Sequence, residues 1–88
     1  MRKFSVDERL RRTLRKLSKK DSQSYNALLS KMDEILSCSD VNHYKNLRRP
    51  LQHLKRVRIG SFVLTFRYDP AEDKVIFYSF EHHDNVYK

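Results

Sequence analysis

The chain has 88 residues, and its 19 lysines and arginines exceed its 11 aspartates and glutamates, giving a net charge of +8. A domain of this size buries only about 60–65% of the surface of its unfolded chain, which leaves little room for a deep, enclosed active site. The single cysteine, Cys38, excludes an intramolecular disulfide and a thiolate metal cluster. With neither a signal-peptide pattern nor an apolar run of membrane-spanning length, we expect a single cytoplasmic domain over residues 1–88.

The positive charge is concentrated in two segments. Met1–Lys20 carries nine basic and two acidic residues, and Val41–Gly60 carries six basic residues and none that are acidic. The last segment, Ser61–Lys88, is slightly acidic, with three basic residues against five acidic ones. Local basic excess attracts polyanions and speeds their encounter, so the composition favours an anionic partner, either nucleic acid or an acidic protein segment.

The first half of the chain predicts a short strand and two helices. Lys3–Val6 predicts the strand, and Ser5 with Glu8 fits a capping box that would start a helix running to about Lys19. Asp21 or Ser22 can cap a second helix of about 15 residues. Its apolar stripe has helical spacing and comprises Tyr25, Leu28, Leu29, Met32, Ile35 and Leu36. Because the connection is short, the helices should form an antiparallel hairpin.

The second half switches from helical spacing to period-two alternation after an irregular segment at Ser37–Leu54. The predicted strands are Lys55–Ile59, Phe62–Tyr68 and Lys74–Phe80, with turns at Gly60-Ser61 and Asp69–Asp73. The predicted fold is therefore α+β, β-α-α-β-β-β, with the helix hairpin packed on one face of a small antiparallel sheet.

The uncovered face of that sheet is predicted to carry arginines. Pairing across the Gly60-Ser61 turn places Arg58 opposite Val63 and Arg56 opposite Thr65, with Arg67 further along the same face. The planar guanidinium binds phosphate through two hydrogen bonds and stays charged. Lys55, Arg48 and Arg49 are expected to extend this RNA-binding field. The alternative is that the charges only block pairing at the sheet edge.

The C-terminal run from Glu81 to Lys88 collects side chains that exchange protons near neutral pH, including Glu81, His82 and His83. His82, His83 and Asp84 are all of metal-ligand type, but a zinc site is the less favoured interpretation, because neighbouring residues of an extended segment point in opposite directions and no nearby cysteine or second histidine pair completes the site. A polar tail with one docked tyrosine is the structural alternative. Cleavage of RNA by its 2′-hydroxyl needs a base, an acid and a cation cluster, and the tail and the arginine face together offer all three without a cofactor.

The run Leu54–Tyr68, followed by His82–Tyr87, resembles the RelE/ParE superfamily of toxins, most closely its RelE branch. The element order matches the RelE-like microbial RNase fold over essentially the whole chain. The resemblance implies a ribosome-dependent mRNA endonuclease that arrests translation. By position, Arg56 and Arg58 match the basic residues of the family's first long catalytic strand, and Tyr87 matches a tyrosine that stacks on a base.

Two positions depart from the family pattern. Val63 and Glu81 lie where the best-studied RelE-type toxins carry arginines. The histidines look more like the endings of YoeB-type toxins, so the resemblance implies Glu81 and His83 as proton-transfer residues and His82 as an RNA contact.

The resemblance also implies an acidic, partly disordered antitoxin that wraps around the toxin, in a higher oligomer that binds operator DNA through the antitoxin. Two alternatives stay open at this point. One is a non-catalytic, ParE-like inhibitor of DNA gyrase, and the other is a catalytically weakened homologue that only binds nucleic acid.

Overall fold

A computed structural model describes residues 1–49 and 51–86. The elements in chain order are β1 (Lys3–Val6), α1 (Glu8–Lys20), α2 (Ser22–Ser37), a 3-10 turn (Val41–His43), β2 (Lys55–Ile59), β3 (Phe62–Asp69), β4 (Lys74–His82) and α3 (His83–Val86). The predicted α+β architecture is confirmed. Within the described ranges, every helix is too short or too polar to cross a membrane.

The sheet has the strand order β1-β4-β3-β2. β2, β3 and β4 form the predicted antiparallel meander, whereas β1 pairs with β4 in parallel. Two parallel neighbours need a crossover connection. Here the chain between β1 and the meander supplies it, and the helix hairpin in this connection packs against the sheet. Gly60 makes the tight β2–β3 turn with a φ of +63°, which a glycine adopts without steric cost.

The start of α1 differs from the prediction. Its N-cap is Asp7, whose carboxylate accepts the backbone N–H of Arg9 at 3.0 Å. Ser5 lies inside β1, opposite Ile76, so its extended backbone cannot start the helix. Asp21 ends α1 and caps α2, accepting the backbone N–H of Ser24 at 3.1 Å, as predicted for the second helix.

The core lies between the helix hairpin and one face of the sheet. Leu10 of α1 and Leu28 of α2 are fully buried there, against Leu64 and Phe66 of β3 and Phe77 of β4. Burying an apolar side chain of this size stabilises the fold by about 1.5–3 kcal/mol. The helices therefore cover one sheet face, which we call the covered face, and leave the opposite face to the solvent side.

Arg2 fastens the first strand to the end of α2. Its guanidinium donates to the carbonyls of Leu36 at 3.3 Å, Ser39 at 3.2 Å and Cys38, and pairs with Asp73 at 2.9 Å. A cation satisfies the unpaired carbonyls at the C-terminal end of a helix and opposes its dipole. This cluster stabilises the end of the domain remote from the β2–β3 turn.

Candidate functional site

The sheet face opposite the helices, the open face, carries the predicted arginines in two cross-strand rows. One row is Arg58–Val63–Glu81, and the other is Arg56–Thr65–Ser79. Residues in register on neighbouring strands project to the same side, so each row crosses β2, β3 and β4 on one surface. The pairing of Arg58 with Val63 and of Arg56 with Thr65 confirms the predicted register.

The first row sets a cation and a carboxylate on opposite sides of an apolar centre. Strands lie about 4.8 Å apart, so the Cα atoms of Arg58 and Glu81 are about 10 Å apart. Val63 between them is fully buried, whereas Arg58 is exposed and Glu81 is half-buried. Arg58 Nε donates to the Gly60 carbonyl at 2.9 Å, which holds the guanidinium beside the hairpin turn and engages one of its five N–H donors.

The second row has a hydroxyl pair at its centre. Thr65 Oγ1 and Ser79 Oγ lie 2.6 Å apart and both residues are buried. Each hydroxyl thus has a partner within the sheet, which removes the cost of burying it. Arg56, half-buried, lies next to this pair on β2. Arg56 therefore lies next to a hydrogen-bonded pair of hydroxyls, whereas Arg58 lies next to the apolar Val63.

The other predicted basic residues lie around these rows. Arg67 is exposed on the open face of β3, opposite Ile76 and beyond a bulge that separates it from Thr65. Arg48 and Arg49 are exposed in the loop before β2. A bridge between Asn46 and Lys55 holds the start of this loop against the free edge of β2.

Lys55 does not belong to the open face, and its predicted place in the RNA-binding field is wrong. It lies opposite Phe66, with the alternation of the covered face, and only 7% of it is exposed. Its Nζ donates to the Tyr44 carbonyl and to Asn46 Oδ1, each at 3.2 Å. Because successive strand residues face opposite ways, a cation next to Arg56 had to point inward. Lys55 fastens the loop to β2.

The C-terminal run is not an extended tail. β4 continues to His82, so Glu81 lies in the sheet, and the backbone turns helical at His83. The His83 N–H donates to the Ser61 carbonyl at 3.0 Å, which ties this turn to the β2–β3 hairpin. α3 also contacts β3 and β4. His83 is consequently held close to the end of the Arg58–Val63–Glu81 row.

The helical turn also changes which way the histidines point. The rings of His82 and His83 lie side by side, with centroids 4.5 Å apart and planes 30° from parallel. His82 Nδ1 lies 3.5 Å from Asp84 Oδ2, and His83 Nδ1 lies 3.0 Å from Asp84 Oδ1. The two histidines do not point apart as predicted, because the strand ends at His82 and the helix begins at His83. Asp84 is already among the possible ligands by sequence, and what the prediction missed was the turn, for which the pair Asp84-Asn85 was the available signal.

Tyr87, the predicted base-stacking residue, lies outside the described residues, and its role stays a prediction.

The clearest pKa shifts occur away from the open face. The hydrogen bond from the Tyr68 hydroxyl, 2.6 Å long, and the contact with Arg2 lower the pKa of Asp73. Burial and the nearby Glu34 carboxylate raise the pKa of Tyr44 to about 12. Both groups stabilise loops, so on this protein shifted pKa values mark structural contacts and do not locate the site.

Two proteins with curated sequences are similar to this chain. No protein-family model matches the chain. A protein of Methanocaldococcus jannaschii that is assigned by name as toxin RelE4 is 47% identical over the whole of this chain and 93% of its own length. An uncharacterized protein of Methanosarcina mazei is 42% identical over 73 residues, which are 82% of this chain and 83% of that protein.

Solved structures agree in fold. The toxin–antitoxin complex RelBE2 of Mycobacterium tuberculosis contains a chain with a TM-score of 0.75 and 25% identity, covering 92% of this chain and 96% of its own. The intact RelBE complex of E. coli gives a TM-score of 0.72 at 20% identity, covering 93% and 96%. The isolated E. coli RelE toxin gives 0.73 at 19%, covering 93% and 84%. With a full-length relative at 47% identity and this shared architecture, the chain belongs to the RelE family of toxins.

Proposed function

We propose that the protein is the toxin of a toxin–antitoxin pair and that it arrests translation by cutting mRNA on the ribosome. The observation that carries the proposal is the Arg58–Val63–Glu81 row. It sets a guanidinium and a carboxylate on either side of one open surface, with His83 held close to its end. A phosphodiester laid across Val63 would lie between a cation and a proton-transfer group.

The proposed reaction is an internal displacement at phosphorus. The RNA 2′-oxygen attacks the adjacent phosphorus, a base takes its proton, and the bond to the 5′-oxygen breaks as an acid protonates that oxygen. The products are a 2′,3′-cyclic phosphate and a free 5′-hydroxyl. Glu81 and His83 are the residues assigned to the two proton transfers. Arg56 and Arg58 bind the phosphate and stabilise the charge that develops on its oxygens.

The remaining cations are assigned to substrate binding. Arg48, Arg49 and Arg67 are exposed and are proposed to extend the positive surface along the RNA backbone. His82, at the end of β4, and Tyr87 are assigned to contacts with a nucleotide.

An antitoxin is the second partner in this proposal. The fold neighbours from M. tuberculosis and E. coli are structures of toxin–antitoxin complexes. With a net charge of +8, the chain has the electrostatic surface that an acidic, partly disordered antitoxin would bind and fold upon. The complex is proposed to form a higher oligomer that binds operator DNA through the antitoxin.

A weakened, RNA-binding homologue is the second candidate, and Val63 is the observation that favours it. The centre of the row holds a buried aliphatic side chain, so within this row the phosphate would meet a cation only from the β2 side. This candidate predicts salt-dependent RNA binding without cleavage.

Primer extension on mRNA in a cell-free translation system tests the proposal. We expect cleavage within the translated region by the intact chain. Loss of one preorganised transition-state donor costs about 10²–10³-fold in rate, so Arg58→Ala should slow cleavage by that factor, and Arg56→Ala likewise. Both variants should keep the circular-dichroism spectrum of the folded chain.

The matched control is the pair Lys3→Ala and Lys74→Ala, two cations in register with each other at the far end of the same sheet. Each substitution removes the same charge as Arg58→Ala or Arg56→Ala but lies away from the two rows, so each should retain most of the cleavage. Equal loss in the control would mean that net charge alone matters. Folded protein that binds RNA without cutting it would support the weakened homologue, and inhibition of gyrase instead would support the ParE-like alternative.

A further inference from the structure

The junction between β4 and α3 brings together side chains that ligate transition metals. His82, His83 and Asp84 each offer one ligand atom, and these atoms lie within 4.8 Å of one another. The two histidines are partly exposed and Asp84 is largely exposed. The group is therefore accessible to an ion from solvent.

The spacing of these atoms fits one coordination sphere. Bonds of about 2.0–2.1 Å in a tetrahedral zinc site separate neighbouring ligand atoms by about 3.3 Å. The distances of 3.0 Å from His83 Nδ1 to Asp84 Oδ1 and of 3.5 Å from His82 Nδ1 to Asp84 Oδ2 are close to this value, although each involves a different oxygen of the carboxylate. A widest separation of 4.8 Å needs a closure of at most about 1.5 Å, which small side-chain rotations supply for partly exposed rings.

The donor set and its surroundings favour a cation. His82 Nδ1 accepts the backbone N–H of Asp84 at 3.2 Å, which holds the ring beside Asp84, and an ion bound at Nδ1 would replace this hydrogen bond. Asp84 turns one carboxylate oxygen to each ring. Ser61–Lys88, unlike the two basic segments of the chain, has more acidic than basic residues, five against three. Two imidazoles and a carboxylate suit zinc, copper, cobalt or nickel and not magnesium, which prefers oxygen ligands alone.

We propose that His82, His83 and Asp84 bind a divalent transition-metal ion of the zinc class, with water completing the coordination. The ion would fasten the last residues of β4 to the first turn of α3. Nothing in this binding step depends on catalysis.

A consequence follows for the proposed function, on which this second step rests. A bound ion would occupy the imidazole of His83 that is assigned to proton transfer and would add positive charge next to Glu81. The metal is thus an inhibitor of the cleavage, and removing it with a chelator should restore the rate.

Calorimetric titration of the untagged chain with zinc chloride, and visible absorption on titration with cobalt chloride, test the site. We expect one ion per chain and the absorption bands of a tetrahedral cobalt site with nitrogen and oxygen ligands. Loss of an outer-sphere partner alone weakens a metal site about 10–100-fold. Loss of a direct ligand in His83→Ala or Asp84→Asn should therefore weaken binding at least tenfold.

The other two histidines of the chain are the matched controls. His43 and His53 are exposed and lie outside the cluster, so His43→Ala and His53→Ala should bind zinc as the natural chain does. Absence of stoichiometric binding by the natural chain, or equal weakening in the control variants, would overturn the proposal. The far-ultraviolet circular-dichroism spectrum of each variant establishes that it is folded.

Cleavage assays with and without zinc separate this inference from the proposed function. Inhibition is supported if cleavage by the natural chain falls as zinc fills the site and recovers when the zinc is chelated. Unchanged cleavage at full occupancy overturns the inhibitory step. A chain that binds zinc through His83 but cuts no RNA in zinc-free conditions overturns the proposed function and leaves the metal site standing.

Discussion

The two faces of the sheet are made by the same strands and differ in what holds their side chains. On the covered face, Leu64, Phe66 and Phe77 are fully buried under the helices. On the open face, the central positions Val63, Thr65 and Ser79 are also buried, although the helix hairpin lies on the other side. Longer side chains flank them in register, Arg58 and Glu81 beside Val63 and Arg56 beside Thr65. The stems of such residues cover apolar surface while their charged ends stay in water.

Because of this difference, the covered face contributes mainly to stability and the open face to the proposed activity. Removing a buried ring from the covered face leaves a cavity that the helices cannot fill. Removing a charged end from the open face leaves the packing beneath it largely intact. We therefore expect substitutions on the covered face to destabilise the fold. Substitutions on the open face should reduce RNA cleavage while the protein stays folded. Three further predictions test or sharpen this division.

The largest effect is expected at Phe77. Its ring is fully buried and lies edge-on to Phe4, with centroids 6.2 Å apart. Phe77→Ala should lower the free energy of unfolding by about 3–5 kcal/mol, a large share of the total stability of a small domain. Urea denaturation followed by circular dichroism measures it. The control is Phe62→Ala, a ring that is 41% exposed at the rim and should cost much less. Equal losses of unfolding free energy in the two variants would mean that the buried ring of Phe77 contributes no more to stability than a partly exposed ring.

Lys55 tests whether a cation on the covered face is structural. Lys55→Met keeps the stem and removes the ammonium, leaving the Tyr44 carbonyl and Asn46 Oδ1 without this donor. Each lost partner of a buried polar group costs about 1–3 kcal/mol, so unfolding should become easier by roughly that amount. The exposed Lys45→Met should change stability by no more than about 0.5 kcal/mol. A stable Lys55→Met protein that no longer binds RNA would contradict the structural role.

The smallest effect is expected at Tyr44, through its titration. Burial and the Glu34 carboxylate raise the pKa of Tyr44 to about 12 in the folded chain, from an ordinary value of 10.0. Above the ordinary value the unfolded chain has lost this proton and the folded chain still holds it, so stability falls as the pH rises. The contribution is complete below pH 10 and is lost between pH 10 and about pH 12. The denaturation midpoint of the natural chain should therefore fall relative to that of Tyr44→Phe over this range. Parallel pH profiles would show that the phenol does not titrate as proposed.

Much of the architecture was predictable because its signals are local. Period-two alternation and the single glycine set the bounds of β2 and the register of Arg56 and Arg58, since a two-residue turn leaves one pairing that keeps apolar residues on one face. The capping carboxylate of Asp21 marked the start of α2, because an N-cap acts on backbone N–H groups only two or three residues away. The fold class followed from the order of these elements.

Other features depend on contacts between distant segments. The parallel pairing of β1 with β4 is decided by how the helices pack, and this pairing also excludes Ser5 as a helix cap. The alternation of β2 already implied that Lys55 faces inward, but only the loop carbonyl of Tyr44 and the amide of Asn46 explain how a buried ammonium is tolerated there.

The candidate site shows the same division. From sequence alone, the arginines could be assigned to the open face, because side-chain alternation along a strand is a local property. The positions of Glu81 and His83 could not be derived in this way. Whether the strand reaches His82 depends on its pairing with Phe62, and the turn to helix at His83 depends on a hydrogen bond to Ser61 from a different part of the chain. The sequence by itself determined which chemical groups are present and on which strand face most of them lie. Only the tertiary structure decided that Glu81 shares a row with Arg58 and that His82, His83 and Asp84 meet at one point, because both depend on where neighbouring strands end.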